Sequence, residues 1–259
     1  GLHYLEKQGQ SQGIPEKDII HIAIKSLGLD DLGPFDPHEK IIEYRVAEKF
    51  GDLANASISD FIDELSSNSP APGGGSVSAL AGALAAGLSA MVGNLTVGKK
   101  GYEKSKNKMN NLAVEAQRLK DLLIKYIDED TNSFNGVIDA MRMANSSERE
   151  IEIRNLAIQE ATKIATYSPL SILEACALVM PLAKLAATEG NPNSISDAGV
   201  AAEMAHAGAQ GAAMNVLINL SDIKDEAFSN EMKAKVETIL LLVSEQIMDI
   251  RQVVIAALL

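Results

Sequence analysis

The stretch SVSALAGALAAGLSAMVGNLTV, Ser76 to Val97, carries no charge. It is long enough to cross a bilayer, so a membrane span is the first reading to test. Its composition argues against one. Ala, Gly and Ser dominate, while the large residues Val77, Leu80, Leu84, Leu88, Met91 and Leu95 recur at steps of three or four. One apolar stripe on a helix of small residues is the pattern of a tightly packed core helix.

Working outward, the chain from about Ile58 onward has helical periodicity and no strand-like alternation of useful length. Helices are expected near 58–66, 76–97, 103–143, 148–164, 168–188, 196–219 and 229–257. The breaks at Asn68 to Gly75, Asn145 to Glu148 and Gly190 to Ser196 are rich in Gly, Pro, Asn or Ser. Short connections between long helices imply antiparallel neighbours, hence an all-α antiparallel bundle. The C-terminal stretch Val236 to Leu259 is apolar on more than one face. With the small-residue helix it leaves more non-polar surface than a monomer should expose, so a homo-oligomer, at least a dimer, is expected.

Residues 1–50 have a different texture, punctuated by Gly9, Gly13, Pro15, Gly28, Gly33, Pro34 and Pro37. One helix fits Pro15 to Leu27, with Pro at its first turn and Gly28 at its end. Asp30 to Pro37 reads as a loop. This is too little apolar material for a separate core, so the segment reads as the tail of something larger. The expected division is therefore 1–50 and 51–259. The opening Gly1-Leu2-His3, without Met, reads as a processed or cut product.

Composition narrows the function classes. The 259 residues hold 23 Lys plus Arg against 35 Asp plus Glu, a net charge of −12, which repels phosphate backbones. Aromatics are 4% with no Trp, which removes the stacking platforms of single-strand binders. Neither nucleic acid nor a membrane is expected as a partner. The single cysteine, Cys176, sits in an apolar run and reads as a core residue. No disulfide framework can form and no signal peptide is visible, which fits a reducing, cytoplasmic setting.

Asp130 is the most informative residue. On the helix through Asn111 to Arg142, a wheel of about 100° per residue puts Ala116, Leu119, Leu123, Ile127, Phe134, Val137 and Met141 on one face. Asp130 falls inside that stripe, whereas Asp128 and Glu129 fall on the solvent side. A carboxylate on a buried face is costly unless paired, hydrogen-bonded or protonated, and its pKa is pushed upward. That suits a general acid or base near neutral pH. The alternative is a structural Asp, paired with a Lys or capping a neighbouring helix. Asp128, Asp130, Asn132 and Asp139 also mimic positions 1, 3, 5 and 12 of a calcium loop. The Gly that such a loop needs at position 6 is Ser133 here, and the helical period runs straight through.

Pro70-Ala71-Pro72-Gly73-Gly74-Gly75-Ser76 leads into the small-residue helix. Glycines before a helix N-terminus leave free N–H groups and let an anionic or planar ligand approach the backbone; a flexible helix entry explains them as well. At the other end, Lys99 and Lys100 either complement the helix dipole or collect ligand carboxylates. The helix from Ser196 carries Asp197, Ala201, Met204, Gly208, Ala212, Asn215 and Asn219 on one face. Asp197 and Asn215 stand about 27 Å apart along its axis, so both cannot touch one small group. His206 faces the other way, and His3, His21 and His38 lie in the head, so no metal-ligand spacing and no Ser/His/Asp order emerges.

Taken in order, Ser69-Pro70-Ala71-Pro72-Gly73-Gly74-Gly75-Ser76-Val77, Met91-Val92-Gly93, Lys99-Lys100, Asp128-Glu129-Asp130 with Phe134, and Ala140-Met141-Arg142 resemble the formiminotransferase-cyclodeaminase family. So do Ser196-Asp197, Asn215-Val216-Leu217-Ile218-Asn219-Leu220 and Asp225-Glu226-Ala227-Phe228. Ser26-Leu27-Gly28-Leu29-Asp30, Pro34-Phe35 and Glu39-Lys40-Ile41-Ile42-Glu43-Tyr44 resemble the end of that family's transferase domain and its linker; the remainder of that domain is absent from this sequence. The resemblance implies a helical, dimeric cyclodeaminase with sites at the subunit interface. Its substrate would be a tetrahydrofolate derivative, with or without a polyglutamate tail, and no tightly bound cofactor or metal is implied. The family's cyclodeaminase aspartate aligns on Asp130. Gly73, Gly74, Gly75, Ser76, Lys99, Lys100, Asp197 and Asn215 are the expected substrate-binding residues. A methenyltetrahydrofolate cyclohydrolase, and a non-catalytic helical assembly module, are the competing expectations.

Overall fold

The computed structural model describes residues 1–46 and 51–259, and no strand occurs among them. The last residues of the expected head, 47–50, lie outside the described residues. The head is a series of short helices, α1 (Leu2–Lys7), α2 (Glu16–Leu27), α3 (Pro37–Lys40) and α4 (Ile42–Val46). Two more, α5 (Asp52–Asn55) and α6 (Ile58–Leu65), lead into five long ones. These are α7 (Gly74–Thr96), α8 (Lys106–Met141), α9 (Glu148–Glu189), α10 (Ile195–Leu220) and α11 (Glu226–Leu258). As the sequence predicts, α2 starts after Pro15 and stops at Gly28, whose φ of 66° is left-handed. Helices α1, α3, α4 and α5 have no counterpart in the sequence reading, and the loop after α1 is seated on the bundle. Gln12 N–H donates to Asn110 Oδ1 at 2.8 Å, and Asn94 Nδ2 donates to the Gly13 carbonyl at 2.9 Å.

The all-α antiparallel bundle is what forms. Helix α7 runs between α8 and α10, antiparallel to both, and touches α9; α11 lies across α9 and α10. Small residues set the spacing. A Cβ on Gly82 would come within 2.6 Å of Cys176 Sγ on α9, and one on Gly208 within 2.8 Å of the Ser78 carbonyl. The backbones therefore touch where the glycines are. Cys176 is fully buried there, and burial pushes its thiol up to about 12, so it is inert. Two helices, Gly74–Thr96 and Glu148–Glu189, are long and apolar enough to cross a membrane, but they pack into this bundle.

The orientation of α7 differs from the simplest reading of its stripe. The small residues Ala79, Ala86 and Ala90 face inward with no exposure, whereas Val77, Leu84 and Leu95 are 39–51% exposed. On the adjacent α10, Val200, Met214 and Ile218 are exposed as well. The physical reason is the close approach of three neighbouring backbones, which leaves no room for large side chains on the inner face.

Two further expectations change, one break and one side chain. The sequence suggests a stop between 164 and 168, yet α9 is continuous with Pro169 and Pro181 inside it. Pro169 has no N–H for the Ala165 carbonyl, and Asn219 Nδ2 from α10 supplies the missing donor at 3.1 Å. The α9 start is closed by a reciprocal cap between Ser147 and Glu150. Asp128, expected in solvent, is half-buried. Its carboxylate accepts from the N–H groups of Leu53 and Ala54, each at 3.1 Å, and so caps α5.

Candidate active site

The apolar stripe of α8 explains where the site lies. From Ala116 to Ile127 the stripe is buried under α7 and α9. Beyond Asp130 the cover is partial: Val137 stays buried at 8% exposure, while Phe134 and Met141 are 37% and 44% exposed. The uncovered part is one wall of a cleft of about 390 Å³. Ile158, Thr162, Ala165 and Pro169 of α9 form the facing wall. Pro70, Ala71, Gly73 and Gly74 form one end, and Asn215, Ile218, Asn219 and Asp222 close the side. From Asp130 to Met141 the wall extends about 16 Å at 1.5 Å per residue.

Asp130 sits at the inner end, against the first turn of α7. A Cβ on Gly75 would lie 2.2 Å from Asp130 Oδ1 and 2.3 Å from its Cγ, so only glycine leaves the carboxylate its place. Gly73 gives α7 no side-chain cap, and the Asp130 carboxylate takes that role by accepting from the Ser76 N–H. The Ser76 hydroxyl, which donates to the Ile127 carbonyl at 2.8 Å, and the buried Ser168 hydroxyl also face it. The Ser76 N–H and the Ser168 hydroxyl pull the carboxyl down, but burial is larger and holds it above the usual Asp value. No cation pairs with it among the described residues. Of the two structural alternatives, the Lys pair is not realised and the helix cap is. A capping carboxylate with raised proton affinity, exposed on one side to an apolar cleft, can also take up and return a proton.

The structure brings Asp130, Gly73, Gly74, Gly75, Ser76 and Asn215 together. A Cβ on Gly74 would be 2.9 Å from Asn215 Nδ2, so α10 closes directly on the glycines. Lys99, Lys100 and Asp197 are not there. They lie at the opposite end of the bundle, the length of the 23-residue α7 away, about 34 Å. Lys99 Nζ donates to Asn191 Oδ1 at 2.7 Å and sits over the Tyr102 ring, while Lys100 is exposed. The calcium-like residues Asp128 to Asp139 stay within the unbroken α8. Sequence reasoning did not single out Ser168, Asn219 or Asp222 as site residues. Only Asn219 had a signal, a proline inside a helical pattern whose freed carbonyl needs a donor from elsewhere.

The helical bundle thus places a half-buried, protonatable carboxyl at one end of a half-apolar cleft. Residues 57–238 match the formiminotransferase-cyclodeaminase family, and residues 1–47 match the formiminotransferase domain. The chain belongs to the formiminotransferase-cyclodeaminase family. It is 34% identical over 229 residues to the formimidoyltransferase-cyclodeaminase of Rattus norvegicus, covering 88% of this chain and 42% of that relative. The chain thus spans less than half the length of that relative. It is 39% identical over 186 residues to the methenyltetrahydrofolate cyclohydrolase of Methylorubrum extorquens, covering 72% of this chain and 89% of the other. The crystal structure of formiminotetrahydrofolate cyclodeaminase from Thermotoga maritima superposes with a TM-score of 0.72 at 30% identity, over 80% of this chain and all of that one.

Proposed function

We propose that this chain is a formimidoyltetrahydrofolate cyclodeaminase, closing 5-formimino-tetrahydrofolate to 5,10-methenyl-tetrahydrofolate with release of ammonia. The observation that carries the reading is the half-buried carboxyl of Asp130 facing the cleft, with no cation paired to it among the described residues. N10 attacks the carbon of the formimino group protonated on its nitrogen, forming the N10–C bond as the C=N π pair moves onto that nitrogen. Asp130, as carboxylate, takes the N10 proton and returns it to the amino nitrogen. The N5 lone pair then expels ammonia and the N5–C–N10 amidinium remains. One carboxyl with raised pKa serves both transfers. The flat ring system lies against Gly73 and Gly74, where no side chain intervenes.

A second copy of the chain completes the site in this reading. The outward stripes of α7 and α10 form its interface. A two-fold axis across the middle of α7 lays the partner subunit's Lys99 and Lys100 beside this Gly-rich turn, where they meet the glutamate carboxylates. Asp197 enters from the same end. The head, residues 1–50, is the end of a formiminotransferase domain, and 51–259 the cyclodeaminase domain, acting in the cytoplasm. A parent polypeptide holding the rest of the transferase domain would add glutamate formiminotransferase activity.

The similarity to the Methylorubrum extorquens protein over most of its length favours a second reading, a methenyltetrahydrofolate cyclohydrolase. In that case Asp130 activates water against the methenyl carbon. Purified protein given each substrate in turn separates them: methenyl absorbance rising with ammonia supports the first reading. Methenyl absorbance falling faster than in buffer, without ammonia, supports the second. Folate binding with no turnover of either leaves an assembly module.

A further inference from the structure

The polar groups on the cleft walls are unusually one-sided. Among the described lining residues they are the carboxylates of Asp130 and Asp222, the amides of Asn215 and Asn219, and two threonine hydroxyls, with no Lys, Arg or His. The amides are held by backbone carbonyls. Asn215 Nδ2 donates to Gly211 at 2.8 Å, and Asn219 Nδ2 donates to Ala165, the carbonyl that Pro169 leaves without a partner. A carbonyl only accepts, so in each amide one N–H is committed to the backbone, which fixes the end of the amide that carries Oδ1. Among the described residues neither Oδ1 has a hydrogen-bond partner.

We propose that Asn215 and Asn219 are specificity-determining residues. Their locked amides present acceptors to the cleft, reading a run of N–H donors on the ligand and rejecting a carbonyl in the same place. This rests on the folate reading of the cleft and deepens it, since the 2-amino group and neighbouring ring N–H of a pterin form such an edge. A ligand with oxygen in place of that amino group loses the bonds and sets lone pair against lone pair. Capping of the Ala165 carbonyl alone would make Asn219 a structural residue, and such a role does not distinguish between two ligands.

The test is calorimetric titration of the whole chain with 5-formyltetrahydrofolate and with its 2-deamino-2-oxo analogue. The amino ligand is expected to bind the unaltered protein about 10- to 100-fold more tightly. Asn215→Ala and Asn219→Ala are each expected to cut that ratio by about five- to tenfold, with helicity retained. If Asn219→Ala does not fold, Asn215→Ala carries the test, because that amide bonds only within its own helix. Equal affinity of the unaltered protein for the two ligands overturns the proposal and leaves the folate reading standing. So does an unchanged ratio in the folded variants. Binding of neither ligand at millimolar concentration overturns both.

Discussion

Replacing Gly75 with Ala adds one methyl group at the point where α7 meets Asp130. The new Cβ would stand 2.2 Å from Oδ1, and real Cβ contacts essentially never fall under 3.0 Å. The carboxylate must therefore retreat by about 0.8 Å to reach even that limit, and by about 1.2 Å to reach ordinary contact at 3.4 Å. A misplacement of about 1 Å at a reacting group costs on the order of 10²-fold in rate, equivalent to about 2.7 kcal/mol of transition-state stabilisation. Stability responds differently. Alanine is favoured over glycine in a helix by about 1 kcal/mol, which offsets a carboxylate that swings away as the free end of a side chain. Gly75→Ala is thus expected to lower kcat about 100-fold while its melting temperature stays within a few degrees of the original. Gly136→Ala is the control. It lies exposed within α8 with nothing near its added Cβ, so it should raise the melting temperature by about 2–4 °C and leave kcat alone. A Gly75→Ala protein with kcat within twofold of the original would refute the placement of Asp130 as the proton carrier. A lower melting temperature with native kcat would return Asp130 to a helix cap alone.

Asp130→Asn should lower kcat about 10²–10⁴-fold with KM changed far less. Its carboxyl is held above the usual 3.8 by burial, so the original protein loses stability as pH rises from there through the raised folded value. The Asn variant should therefore match it in acid and exceed it at neutral pH in thermal melts. Asp128→Asn weakens the cap on α5 and should cost about 1 kcal/mol, read as faster amide exchange at Leu53 and Ala54, with kcat nearly native. Leu84→Asp, in the exposed stripe of α7, should convert an oligomer to a monomer by light scattering; a monomer before substitution removes the shared site. Replacing Lys99 and Lys100 with Gln should raise KM for polyglutamylated folate well above the change for monoglutamate, less so at high salt. Equal changes would assign the pair to the α7 dipole.

Local periodicity and punctuation account for much of what this chain does. The long helices, the ends of α2 at Pro15 and Gly28, and the place of Asp130 within the α8 stripe all follow from spacings that a helix obeys wherever it is. The motifs around Gly73 to Ser76 and Asp130 carry the family with them. Other features depend on which backbones come within reach of each other, and no local pattern encodes that. The stripe of α7 contrasts large with small, but only contact with α8, α9 and α10 makes the small side the buried one. Asp128 looks free until Leu53 and Ala54 arrive from 75 and 74 residues away. Pro169 reads as a helix stop until Asn219 of α10 answers the carbonyl it frees. Lys99 and Gly74 belong to neighbouring motifs in the chain, yet a rigid helix with its 1.5 Å rise holds them at opposite ends of the bundle. Sequence determined the helices and the carboxyl. Tertiary packing decided which faces are buried, what Asp130 touches, and which residues one chain brings to the cleft.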